Sequence, residues 1–241
     1  MIAIEDGRIN VCGEISLSFQ RAGFLTLEGS RHSLNFGALS ARLVRDYAGS
    51  FSESWSTREA VFIPLLADER IWLGFSTRQR SYAIQIAVGE VNAVSGQSWI
   101  PGLTASPQNY LVSPPQLHWD GIRRGQDLLP FDSQSLNSDE RPAGAWVLLV
   151  YAPLGDALGP AQVSEFDHDP GKLYDTFRQS DRNHAENHPL QDPFGVDTWS
   201  REPLCTVFIV PVTAPRYEEI TGVKVPPTRK ACEVYTGYRL P

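Results

Sequence analysis

The chain has 241 residues, 41% hydrophobic and 20% charged, a globular composition that excludes wholesale disorder. Its formal net charge of −7 argues against nucleic acid and anionic membranes as partners, because like charges repel unless basic residues are segregated into a patch. The nearest approaches to such a patch, Arg78 with Arg80 and Arg123 with Arg124, are isolated pairs in polar turns.

From its start, Met1 to Gly13 carries acidic residues and lacks the basic opening and apolar core of a signal peptide. No window approaches the ~20 apolar residues that cross a bilayer, so a cytoplasmic protein without a membrane partner is expected. Short β-branched and aromatic runs then recur between Gly, Pro, Ser and Asn, the pattern of strands and turns. In chain order they are Ile15 to Phe19, Phe24 to Leu27, Leu39 to Val44, Val61 to Leu66, Ile71 to Phe75, Ala83 to Val88, Tyr110 to Val112, Trp146 to Tyr151, Cys205 to Val212 and Cys232 to Tyr238. Tyr82 to Gly89, Ala145 to Ala152 and Leu204 to Val212 are almost continuously apolar, as strands covered on both faces are. Pro211 is expected at a strand end or bulge, since proline cannot donate to a ladder. Glu28-Gly29 and Ser95-Gly96 carry tight-turn dipeptides.

Two polar stretches interrupt the pattern. Segment 114–144, rich in Pro, Gly, Asp and Ser, is expected to be a long loop. Within Glu165 to Ser200, Lys172 to Arg182 is expected as a short helix with Leu173 and Phe177 on one face. The predicted fold is all-β and mainly antiparallel, a β-sandwich or jelly-roll-like barrel with long loops and at most one or two short helices. It is read as one domain over 1–241, with two packed β units, 1–113 and 145–241, joined by loop 114–144, as the alternative.

The span from Phe62-Ile63-Pro64-Leu65-Leu66 through Ile71-Trp72-Leu73-Gly74-Phe75-Ser76 and Ala87-Val88-Gly89-Glu90-Val91-Asn92-Ala93-Val94-Ser95-Gly96 to Pro107-Gln108-Asn109-Tyr110 and Trp119-Asp120-Gly121-Ile122 resembles a family of uncharacterised bacterial and fungal proteins. The resemblance implies a β-rich fold and brings no site residues with it.

Three constellations could carry chemistry. His184-Ala185-Glu186-Asn187-His188 places two imidazoles four apart, a spacing that shares a helix face and suits a divalent metal. The glutamate is misplaced for a zincin and Pro189 follows at once, so a solvated polar loop is the competing reading. Asp167-His168-Asp169, with Asp175 or Asp181, offers groups for acid–base or metal chemistry, against a simple Asp-Pro-Gly turn. A metal, if bound, would draw on His168, His184 and His188 together; the leading expectation is no cofactor.

The third constellation is Trp119-Asp120-Gly121 after His118, with Asn109 and Tyr110 in a neighbouring loop. Ring faces cover the C–H surface of sugars and other amphipathic molecules while carboxylates and amides take their hydroxyls. Trp72 and Trp146 lie inside apolar strands and are expected in the core. Cys12, Cys205 and Cys232 are too few and scattered for a disulfide framework and read as buried thiols. No G-x-S-x-G elbow and no glycine-rich phosphate loop occurs.

The leading function is therefore a non-catalytic sandwich binding a carbohydrate, another small amphipathic molecule or a protein partner through Trp119, Asp120, Asn109 and Tyr110. The alternatives are a metal-dependent or acid–base enzyme using Asp167 to His188, and a subunit of a homo-oligomeric assembly.

Overall fold

The computed structural model describes residues 2–5, 7–27, 30–67, 69–78, 80–132, 145–155 and 189–227, with backbone alone at 23–27, 30–35 and 132. They form a mostly β structure of two sheets packed face to face. The first has eight strands, in the order β1 (Ile2–Glu5), β2 (Arg8–Val11), β3 (Ile15–Leu27), β7 (Arg70–Thr77), β13 (Asp127–Asp132) and β12 (Gly121–Arg124), with β4 (Ser30–Ala38) on β3 and β11 (His118–Trp119) on β7. The second has seven, in the order β10 (Leu111–Ser113), β8 (Tyr82–Val88), β14 (Trp146–Tyr151), β15 (Cys205–Thr213), β6 (Ala60–Leu65) and β5 (Arg42–Leu43), with β9 (Val91–Asn92) on β8. Every strand pair described is antiparallel except β15 with β6.

Alternation explains the first sheet. Ile15, Leu17 and Phe19 face inward and are buried, while the intervening Ser16, Ser18 and Gln20 are half-buried on the outer side, as a period of two requires. Across the interface lie Ile84, Ile86, Leu148, Val150, Val207 and Ile209, and one apolar cluster unites both sheets. Each such side chain withdrawn from water contributes about 1.5–3 kcal/mol.

The second sheet has a different reason for its apolar runs. Its outer face is covered too: Ala83, Leu149, Tyr151 and Val112 pack under loop residues, and Ala60 and Phe62 pack under Tyr217 and Val44. Tyr217 belongs to α2 (Ala214–Thr221), and Val44 opens a 3-10 turn, Val44–Ser50, that precedes the single-turn α1 (Glu53–Ser56). A strand buried on both faces cannot alternate, so β8, β14 and β6 read as continuous apolar runs. No helix among the described residues is long and apolar enough to cross a membrane.

Several expectations change in detail. Ile15 to Phe19 and Phe24 to Leu27 belong to one strand, β3, and Leu39 to Val44 narrows to β5 before the chain coils at Val44. Segment 114–144 is not a loop over its first half: β11, β12 and β13 lie there and extend the first sheet from β7. Pro211 sits inside β15 rather than at its end, opposite Ile63. Phe208 donates its N–H to Glu59 on the β6 side, and alternate amides face alternate neighbours, so the Pro211 nitrogen faces the β14 side, beyond the terminal Trp146–Ile209 pair. No ladder bond among the described residues is lost there. The expected strand Cys232 to Tyr238 and helix Lys172 to Arg182 lie outside the described residues.

Two glycines allow close backbone approaches along one side, Gly96 between the sheets and Gly121 within the first. Gly96, at φ +73°, would place a Cβ 2.3 Å from the Arg123 carbonyl oxygen, and Gly121 would place one 2.2 Å from that of Leu129. Only glycine admits both the close approach and, at Gly96, the left-handed backbone. The turn Ala93 to Gly96 thus docks on β12, with Arg123 N–H donating to the Ala93 carbonyl at 3.0 Å.

Candidate functional site

The outer face of the second sheet, over β10, β8 and β14, carries the densest set of side-chain hydrogen bonds described. Gln85 lies mid-strand in β8 with 0% exposure, and a buried amide is stable only when bonded. Its Nε2 donates to the carbonyls of Ile100 and Gly102, both at 3.0 Å, and its Oε1 accepts Gly102 N–H at 3.2 Å and the Tyr151 hydroxyl at 3.4 Å. One strand residue therefore holds the loop that follows β9 against the sheet.

Asparagines fix the rest of that loop. Asn92 Oδ1 accepts the N–H groups of Val94 and Ser95, both at 2.9 Å, and its Nδ2 donates to the Asn109 carbonyl at 2.9 Å. Asn109 in turn accepts Thr104 N–H and donates to the Gly102 carbonyl, each at 2.9 Å. The bonds from Val94 and Ser95 to Asn92 are the local kind by which asparagine stabilises turns; the bond from Asn92 to Asn109 ties two stretches of the loop together.

A second segment, 189–200, is clamped on the same face. Gln108 donates to the Leu190 carbonyl at 2.9 Å and accepts Asp192 N–H at 2.9 Å, while Gln116 accepts Leu190 N–H at 3.0 Å. Asp192 is the node: its Oδ2 accepts the Tyr110 hydroxyl at 2.5 Å and Trp199 Nε1–H at 2.8 Å, and its Oδ1 accepts Phe194 N–H at 2.8 Å. Trp199 is buried, and Phe194 stands edge-on to it, 5.9 Å between ring centres. Leu154 is tied to this segment by its N–H to the Thr198 carbonyl, 2.7 Å.

Burial, and then the Asp192 carboxylate it donates to, pushes the Tyr110 phenol well above its ordinary value of 10.0. Burial likewise raises Tyr151. Phenols held so firmly protonated do not exchange protons near neutral pH; they orient. Around this rigid floor stand Ile100, Leu154, Leu190 and Phe194, exposed by 69%, 60%, 48% and 40%.

Of the residues expected at a ligand surface, Asn109 and Tyr110 meet here, buried as the floor rather than exposed as the contact. Trp119 and Asp120 do not join them. Trp119 pairs with Leu73 of the first sheet and turns its ring into the inter-sheet core, 3% exposed, so it is a packing residue and no loop platform. Asp120 is half-buried, its carbonyl accepting Phe131 N–H at 3.1 Å. His118 lies edge-on to Trp72, 5.8 Å between ring centres. Asp167, His168, Asp169, His184 and His188 lie outside the described residues, and among the described ones no group of three or more His, Cys, Asp or Glu could hold a metal.

Sequence reading missed Gln85, Gln108, Gln116 and Asp192. Gln85 had a signal: it is the lone amide in the apolar run Tyr82 to Val88, and such a residue needs partners from outside its strand. Compared with protein-family models, curated proteins and solved structures, the chain finds no match.

Proposed function

We propose that this protein is a ligand-binding β-sandwich without catalytic activity, and that its recognition surface is the outer face over β10, β8 and β14. The carrying observation is a coincidence of chemistries. Of the six large apolar side chains left most exposed among the described residues, four, Ile100, Leu154, Leu190 and Phe194, are tethered around the Gln85, Gln108 and Asp192 bonds. Exposed apolar side chains grouped in this way mark binding sites, and loops on a rigid β scaffold are where recognition resides.

Apolar groups beside fixed amides and a carboxylate suit a carbohydrate or similar amphipathic small molecule, whose C–H face meets Phe194 while hydroxyls meet polar groups. The test is a glycan array probed with labelled protein, alongside the Ile100→Ala/Phe194→Ala variant. The variant keeps a cooperative melt, lowered by no more than a few degrees through loss of the Phe194–Trp199 contact, and loses roughly tenfold or more in binding. Equal binding by the variant removes this face as the recognition surface, and absence of binding by wild type removes carbohydrate as the ligand class.

A further inference from the structure

At one end of the sandwich the chain brings together two cysteines that lie at opposite ends of the sequence. Cys12 occupies the turn between β2 and β3 of the first sheet; Cys205 opens β15 of the second. The Cys12 Sγ lies 4.0 Å from the carbonyl oxygen of Leu204, the residue before Cys205, which brings its thiol against the peptide that leads into Cys205. Both are half-buried against the inter-sheet core, and both are thiols in this structure. Cys12 is also the one non-glycine residue among those described with a positive φ, +52°, a conformation L-residues seldom hold unless the surroundings impose it.

We infer that Cys12 and Cys205 form a modification site for reversible oxidation, a disulfide made by exchange with a small-molecule disulfide that staples the two sheets together. Exchange begins at Cys12, because burial, followed by the neighbouring Cys12 thiol, raises the Cys205 thiol well above its ordinary range and leaves it the poorer nucleophile. The Cys12 thiolate attacks one sulfur of the small disulfide, giving a mixed disulfide and releasing one small thiolate. Cys205 then gives up its proton and attacks the Cys12 sulfur, releasing the second small thiolate. Two electrons pass from the protein to the small disulfide, and the two protein thiol protons end on the two small thiols. The site is independent of the ligand-binding reading, since it lies between the sheets and not on the outer face.

The test uses the full chain with oxidised glutathione, alkylation of remaining thiols, and non-reducing peptide mapping by mass spectrometry, repeated in Cys232→Ser. The expected product in both is a peptide pair joined through Cys12 and Cys205. Its formation should raise the melting midpoint by about 5–10 °C, reversed by dithiothreitol, because the cross-link closes the long loop from residue 12 to residue 205 and restricts the unfolded state. Glutathione adducts without the cross-link, a cross-link through Cys232, or no reaction overturns the inference.

Discussion

The two faces of the second sheet are buried by different means. The inner face meets the first sheet through aliphatic side chains such as Ile84, Ile86, Val207 and Ile209. The outer face over β8 and β14 is covered by loops whose backbone groups are bonded, one by one, to Gln85, Asn92, Gln108, Asn109 and Asp192. Apolar burial is non-directional and tolerates repacking. An amide that bonds one particular carbonyl does not, so the inner face sets whether the chain folds and the outer face sets where its loops stand.

Introducing a charge at the inner face is the severest test. Ile209→Asp puts an unpaired carboxylate at a site with 0% exposure, at a cost of several kcal/mol, and should abolish cooperative unfolding by circular dichroism; a soluble variant with a wild-type melt would remove β15 from the core. Next in size is the first sheet's buried ion pair, Arg21 to Glu69, joined at 2.7 and 2.5 Å with side chains 6% and 1% exposed. Glu69→Ala strands the guanidinium and should cost about 3–5 kcal/mol, whereas Arg21→Met with Glu69→Leu should recover most of that. Denaturant titration separates the two, and equal losses would mean that the pair's geometry, not its charge, matters. On the outer face, Asn92→Ala removes two accepted bonds and one donated bond and should cost about 2 kcal/mol with the core intact. A larger loss, accompanied by a changed denaturant slope, would show that the two faces are one cooperative unit.

The inner face was legible in the sequence because its cause is local. A run such as Ala145-Trp146-Val147-Leu148-Leu149-Val150 is apolar whichever strand it meets, and β14 sits where that run predicts. β11 to β13 were hidden by Gly121 and Pro130, residues that argue for loops yet occupy ladder positions opposite each other here. The short helix α2 was readable and overlooked: Thr213 caps it by accepting Arg216 N–H, Pro215 lies in its first turn, and Gly222 closes it at φ +70°. Trp119 misled because a bulky ring beside Asp-Gly reads as a turn, while its two-residue strand turns the ring inward. The partners of Gln85 and Gln108 are mostly backbone groups elsewhere in the chain, and Asp192 gathers the side chains of Tyr110 and Trp199; residue type alone carries no trace of these pairings. The same holds for Cys12 and Cys205.

The smallest expected effect separates the faces by pH. Tyr82 sits in the inter-sheet core with its hydroxyl donating to Glu14 at 2.6 Å, and burial, then that carboxylate, pushes its phenol from 10.0 up to about 12. Tyr110 on the outer face is raised in the same way by burial and Asp192. Raised phenols keep their protons in the folded state while the unfolded chain loses them above pH 10, so their contribution is complete below pH 10 and is lost as pH climbs through the folded values. The slope is negative, at most about 1.4 kcal/mol per pH unit for each tyrosine. Tyr110→Phe should remove the Asp192 bond at a cost of about 1 kcal/mol at neutral pH and flatten the alkaline loss, while leaving the Tyr82 contribution in place. Melting midpoints from pH 8 to 11.5 measure both quantities. A variant whose midpoint falls as steeply as wild type would mean that the outer loops open before Tyr110 ionises, leaving the inner face alone to resist alkali.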